Sequence, residues 1–184
     1  MSLIAAKKIS VKEFSEMDLD ENFYYELING NIVKKQAPKP SHQSASMELG
    51  TLLNVFIKEK QLGKLFASPI DVFFDDYNNT QPDLLFIKKE RSFIVTNNGI
   101  EGAPDLIIEI LSPSTQSIDK REKFKLYQQF GVQEYWIVDP NNKSIDVFSL
   151  ENNRYENLFV ATDNEIIQSQ VLEGFSLDVS QIFV

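Results

Sequence analysis

The chain of 184 residues has no cysteine, a single histidine and a single tryptophan. It also has no apolar run approaching the ~20 residues that cross a bilayer. Without cysteine there is no disulfide scaffold, no thiol catalysis and no cysteine-ligated zinc or iron–sulfur centre, which fits an expected cytoplasmic location. The segment "MSLIAAKKISVKEF" carries lysines but no long apolar stretch, so neither a secretory signal nor a membrane partner is expected. Basic residues are scarce as well: 18 Lys and Arg face 27 Asp and Glu, for a net charge of −9. A chain so charged repels nucleic acid on average, so any such contact needs a local basic patch.

What is present is enough for one sizeable core. With 42% apolar residues and 11% aromatics, the length fits one domain over residues 1–184. Ser10 and Glu13 form a capping-box pattern, so a short helix is expected near Val11. "FYYELINGNIVKKQ" reads as a β-hairpin turning at Asn29-Gly30, where both turn positions favour positive φ. Ser41 is the expected N-cap of a helix from about His42 to Lys60, with Gly63 as its stop. Strands are expected at Leu65–Ala67 with Ile70–Asp75, at Asp83–Ile87 and at Asp105–Leu111, and "DDYNNTQP" reads as a turn. A helix from about Asp119 to Phe130, ended by Gly131, precedes the strands "EYWIVD", "SIDVFS" and "RYENLFV". The pattern is α+β with a central mixed sheet flanked by helices and an N-terminal β-hairpin.

Acids inside apolar runs carry the chemistry. Glu109 interrupts "LIIEIL", and an unpaired carboxylate buried there costs several kcal/mol unless an ion or a hydrogen-bonding partner meets it. Asp105 shares its strand face, but four residues at ~3.3 Å each put it about 13 Å away, too far to share an ion. Asp83 opens a separate strand. If that strand neighbours Glu109 at ~4.8 Å, the two carboxylates and the Ile110 carbonyl can converge on one magnesium or manganese. Without such pairing, Glu109 is a strand-end acid facing water and Asp83 a turn residue.

Three further residues carry two readings each. Lys123 lies on the apolar helix face of Leu126, Tyr127 and Phe130, so its ammonium either snorkels to water or reaches the carboxylates. His42 either meets an anion at a helix N-terminus or is an ordinary exposed first-turn residue. Glu26 alternates with Tyr24 and Ile28 as an acid on a mainly apolar face, or pairs across the hairpin with Lys34 or Lys35.

"YELINGNIV", "SHQ", "QPDLLFI", "EGAPDLIIEILSPST", "DKREKFKLY" and "FGVQEYWIVDP" occur in that order. Together they resemble the Uma-type restriction-endonuclease family, a branch of the PD-(D/E)XK nucleases, from about residue 10 onward. The resemblance implies a restriction-endonuclease-like core and a metal-dependent endonuclease that hydrolyses the phosphodiester bonds of DNA with Mg2+ or Mn2+. By position, Asp83 is the "PD" aspartate and Glu109 the acid of the "(D/E)XK" element, with Ile110 at X. Leu111 stands where the motif lysine belongs, so Lys123 on the following helix is its replacement. Glu26 is the extra acid, near a second metal position, and His42 occupies the family's histidine position. Tyr127 and Gln128 are expected to support the lysine.

The resemblance also implies a nucleic acid as partner. Lys34, Lys35, Lys39, Lys120, Arg121 and Lys125 are the basic residues at hand, so the affinity is expected to be weak and salt-dependent. Cutting two strands further points to a homodimer. The alternatives are a degenerate nuclease fold used as a non-catalytic binding or assembly module, and an enzyme acting on another phosphate-containing or metal-requiring substrate.

Overall fold

The computed structural model describes residues 7–183. The Ser10 hydroxyl accepts the Glu13 N–H at 3.2 Å while the Glu13 carboxylate accepts the Ser10 N–H at 2.9 Å. That capping box starts α1 (Val11–Ser15). Strands β1 (Tyr24–Ile28) and β2 (Asn31–Lys35) form the hairpin, with Asn29 at φ 53° and Gly30 at φ 75°. These left-handed positions are what the Asn-Gly pair supplies at low cost.

The hairpin belongs to a larger sheet. With β4 (Val72–Asp75), β5 (Asn78–Thr80) and β7 (Ile100–Glu101), the order is β2-β1-β5-β4-β7. Part of "DDYNNTQP", expected as a turn, is therefore a strand. Asn78 can be buried there because its Oδ1 accepts the Asn29 N–H at 2.7 Å and its Nδ2 donates to Asp75 at 2.8 Å. Local polarity reads as turn; the strand forms because β5 pairs with the adjacent β4 on one side and Asn78 bonds Asn29, 49 positions away, on the other.

The main sheet contains β3 (Gly63–Ala67), β6 (Leu84–Lys88), β8 (Leu106–Ile110), β9 (Glu134–Asp139), β10 (Ser144–Glu151) and β11 (Arg154–Thr162). Its order is β11-β10-β9-β8-β6-β3. The β8–β9 pair is parallel and the other pairs are antiparallel. On one face lies α2 (Pro40–Lys60), whose Ala45, Leu49, Leu53 and Ile57 pack against Leu84, Phe86, Ile108 and Trp136. A hairpin of β12 (Ile166–Gln168) and β13 (Ser176–Asp178) adds Ile167 and Leu177 to this core. On the other face, Leu85, Ile87, Ile107, Tyr135 and Ile137 pack with Ile28, Val72, Ile100, Leu126 and Tyr127. The main sheet is thus the middle layer, and the alternating side chains of β6 and β8 serve two different cores.

The helix ends depart from expectation in detail. The N-cap of α2 is Lys39 rather than Ser41, with Pro40 at the first helical position, where its fixed φ and missing N–H suit the helix. The helix closes on Gln61 at φ 54°, and Gly63 instead opens β3. After β8 the chain forms α3 (Gln116–Ile118), one π-helical turn over Asp119–Lys123, and α4 (Phe124–Gln129). The helix expected from Asp119 is therefore interrupted by a π turn ending on Lys123. Gly131, at φ 80°, follows Phe130 as expected. No described helix is long and apolar enough to cross a membrane.

The α2 contact is testable by truncation. Leu49→Ala removes a side chain with no exposed surface and should lower stability by about 2–5 kcal/mol in urea unfolding.

Candidate active site

Sheet register brings the two principal acids together. Ile107, Glu109 and Leu111 share one side of β8 by the period of two, and Ile107 and Leu111 pack in the core facing the hairpin sheet and α4. Strand β6 runs antiparallel to β8 with Leu84 opposite Ile108. One residue further, the same register sets Asp83 opposite Glu109 on that side. Asp83 Oδ2 accepts the Ile110 N–H at 2.7 Å, tying the start of β6 to the end of β8.

Lys123 closes the group from above. Its Nζ donates to Glu109 Oε1 at 2.8 Å and to Glu26 Oε1 at 2.9 Å, and lies 3.6 Å from Asp119 Oδ1. The lysine is fully buried, which settles its two sequence readings against snorkelling. The π turn widens the helix at this position, a distortion often found at functional sites. Tyr127, one turn on, donates its hydroxyl to Glu109 Oε1 at 2.7 Å. Glu26 Oε1 also accepts from Lys35 Nζ at 3.1 Å and from the Gln81 N–H at 2.8 Å. The cross-hairpin pairing with Lys35 therefore coexists with the longer-range contact to Lys123.

His42 sits in the first turn of α2 and is buried, with Nε2 3.2 Å from Asp83 Oδ2. Of its two readings, the exposed first-turn residue is excluded, and the anion it meets is the Asp83 carboxylate of the protein itself. Asp83, Glu109, Ile110 and His42 line one open cleft of about 590 Å³, together with Lys35 and Gln81. Asp105 lies elsewhere: its carboxylate accepts the Lys88 N–H at 2.8 Å and Arg91 Nη1 at 3.0 Å. Gln128, expected near the lysine, instead accepts the Tyr155 N–H and holds β11.

Two participants escaped the sequence reading. Asp119 precedes Lys123 by four residues, a spacing that places it beside the ammonium. It lies in a run of charges that reads as a solvated rim. Gln81 contributes a backbone N–H, which has no side-chain signature.

The electrostatics of this buried group are unbalanced. Burial pushes the Glu109 carboxyl up, to about 8, with Asp119 and Asp83 adding to the rise and Lys123 opposing it. Burial also raises Asp119. For Glu26, burial is outweighed by Lys123 and Lys35, and the carboxyl is held below its ordinary value. Burial is likewise outweighed at Asp83, where the His42 contact and the Ile110 N–H hold the carboxyl down. Burial disfavours the Lys123 charge, but Glu109, Glu26 and Asp119 drive its pKa well above the ordinary lysine value. Fully ionised, the carboxyls of Asp83, Glu109, Glu26 and Asp119 would outnumber the ammonium groups of Lys35 and Lys123 by two, and the raised Glu109 and Asp119 carboxyls relieve that excess by holding their protons.

A divalent cation beside Asp83 and Glu109 would favour the ionised form of Glu109 and offset that excess. Among the described residues no three acids or histidines are gathered tightly enough to cage an ion unaided. Asp83 and Glu109 nonetheless offer two hard carboxylates in an open cleft, and magnesium is commonly held by one or two carboxylates, with waters and substrate oxygens completing its shell. Glu26 has a different position. Its Oε1 is engaged by Lys123, Lys35 and Gln81, and its Oε2 is buried without a partner.

Comparison with known proteins agrees with the fold and with the sequence resemblance. Residues 11–180 match the family Uma2, described as "Putative restriction endonuclease". Two proteins of Synechocystis sp. are similar. "Uncharacterized protein sll1609" is 27% identical over 142 residues, covering 76% of this chain and 80% of that one. "Uncharacterized protein slr1290" is 26% identical over 150 residues, covering 77% and 74%. A crystal structure of "a putative nuclease belonging to DUF820 from Anabaena variabilis ATCC 29413" superposes with a TM-score of 0.76 at 24% identity, covering 95% of this chain and 97% of that chain. The mixed α+β core expected from the sequence is thus shared with a solved structure over nearly the whole chain.

The lysine-centred network predicts a large stability effect. Lys123→Met leaves Glu26, Glu109 and Asp119 without their shared cation and should destabilise by about 3–5 kcal/mol in chemical denaturation. Adding Glu26→Gln to that variant should recover part of the loss, because it removes one uncompensated charge.

Proposed function

The chain belongs to the Uma2 family, and from that premise we propose that it is a divalent-metal-dependent nuclease hydrolysing the phosphodiester bonds of DNA. The observation that carries this reading is the meeting of Asp83 and Glu109 across two paired strands at the wall of an open cleft, with Lys123 bonded to Glu109 from behind. Asp83 and Glu109 would hold Mg2+ or Mn2+, with the Ile110 carbonyl as a further oxygen donor. When bound, such an ion polarises the scissile phosphate and lowers the pKa of an attacking water.

The protein's own groups then have separate tasks. Glu109 Oε1 is fixed by Lys123 and Tyr127, which leaves Oε2 as the oxygen available to the cleft. Lys123 is sealed from solvent, so it acts through Glu109 as a positioning residue and as the local counter-charge. Glu26 anchors the lysine from the hairpin sheet, so the hairpin is part of the site's support. His42, against Asp83 at the cleft wall, is placed to orient that carboxylate or to meet a phosphate oxygen. A homodimer would bring two such clefts to a duplex. A cytoplasmic location is part of the same reading.

One observation favours a second reading. The ammonium of Lys123 is locked in buried ion pairs, and no three-acid metal cage is assembled among the described residues. A degenerate, non-catalytic binding module would have such a site.

Cleavage of plasmid and single-stranded DNA with Mg2+ or Mn2+ separates the two readings. Wild type should cut, and Asp83→Asn and Glu109→Gln should each lose at least about 100-fold in rate. Activity surviving both substitutions removes the site, and absence of cleavage with retained DNA binding favours the module. Independently of activity, Mg2+ at a hundredfold excess over its Kd should stabilise wild type by about 2.7 kcal/mol in thermal unfolding. That gain should vanish in Asp83→Asn.

A further inference from the structure

A second cavity lies beyond the cleft at the acids, along α2 and β3. One face of α2 presents Gln43, Met47, Gly50 and Asn54 to the active-site cleft, and the next positions at the same helical spacing, Lys58 and Gln61, line a second cavity of about 560 Å³. The opposite wall is continuous too: Leu65–Ala67 of β3 border the first cavity, and Gly63 and Lys64 border the second. The second cavity follows the first along α2 and β3 and wraps the sheet edge: the two share no lining residue, and Ile87 and Val95 in its wall pack in the core on the other face.

The charge along this path changes from end to end. At the acid end, Lys35 and Lys123 are already bound in ion pairs, and Lys34 lies 3.3 Å from the centre of the Phe23 ring. At the far end, Lys58, Lys64, Lys88 and Lys89 line the second cavity, and no acid lines it. Among the described residues none of these four lysines forms an ion pair. Lys58, Lys64 and Lys89 are exposed. In a chain of net charge −9, four uncompensated lysines in one cavity form a local anion-binding surface. Between the two ends, Gln43, Ser46 and Asn54 are neutral, and no described hydrogen bond uses their side chains. Amides and hydroxyls of this kind read base edges, and lysines contact phosphates.

The dimensions match a nucleic-acid strand. From Asp83 to Lys88 the β6 backbone advances five residues, about 17 Å, and a duplex strand advances ~3.4 Å per step. Lys88, at the lysine end, therefore stands about five base steps from Asp83.

We propose that the α2–β3 groove is a nucleic-acid track, in which Lys58, Lys64, Lys88 and Lys89 grip the backbone about five steps from the scissile phosphate. This inference rests on the nuclease reading and adds to it the direction and length of the bound strand. It places phosphate contacts on residues outside the basic set near the hairpin and α4.

The test is the salt dependence of binding, measured by fluorescence anisotropy with a labelled 12-nucleotide DNA strand in magnesium-free buffer, where cleavage does not intervene. The triple variant Lys58→Ala, Lys64→Ala, Lys89→Ala is compared with wild type and with a control, Lys8→Ala, Lys12→Ala, Lys143→Ala, of equal net charge. Three lost phosphate contacts should reduce the slope of log K against log salt by about 2, and the control should keep the wild-type slope. Wild-type binding with an unchanged slope in the groove variant overturns the track and leaves the nuclease reading standing. An equal loss in the control assigns the effect to net charge and also overturns the track. No binding by wild type overturns the track and the DNA reading together. Lysine-dependent binding of polyglutamate without binding of DNA would assign the surface to an acidic protein instead.

Discussion

The buried ammonium of Lys123, shared between Glu26 and Glu109 behind the cleft, is the interaction on which the rest of the arrangement depends. It joins three layers: Glu26 belongs to the hairpin sheet, Glu109 to the main sheet, and Lys123 to the helical segment after β8. A buried lysine is costly alone, and so is each buried acid. Together they are tolerable only while every partner stays in place. The same contact therefore fixes how the hairpin sheet sits against the main sheet and which way the Glu109 carboxylate turns.

The second constraint is the register between β6 and β8. Side chains alternate, so a one-residue slip would move Glu109 into the apolar core against α2 and separate it from Asp83. The Ile110 N–H bonded to Asp83 and the dense apolar packing on both faces of β8 oppose such a slip. Fold and site are consequently specified by the same residues. The strand most completely buried in the molecule carries the acid most in need of a partner.

Much of this is legible in the sequence because the signals are local. The Asn-Gly turn, the capping box and the apolar strands each follow from a few adjacent residues. Glu109 declares itself by contrast with its neighbours, and Asp105 is set aside by strand length alone. The features that escape are those decided at long range. Asn78–Thr80 read as turn because their residues are polar and half of their strand context, the contacts to Leu27 and Asn29, comes from distant residues. The π turn has no marker in "DKREK", and Asp119 is hidden in that charged run although the turn points it inward. Gln128 lies next to Tyr127 but faces β11, because adjacent helical residues do not share a face. The cavity lysines come from α2 (Lys58), β3 (Lys64), β6 (Lys88) and the residue after it (Lys89), and only folding brings them together.

The account centres on a cation held between Asp83 and Glu109, with Lys123 behind them. The most direct measurement is the anomalous difference density of crystals grown with saturating manganese. The account predicts a peak bounded by the Asp83 and Glu109 carboxylates, with Lys123 still bridging Glu109 and Glu26. A well-ordered site without that peak, or with Lys123 turned out to solvent, would contradict it.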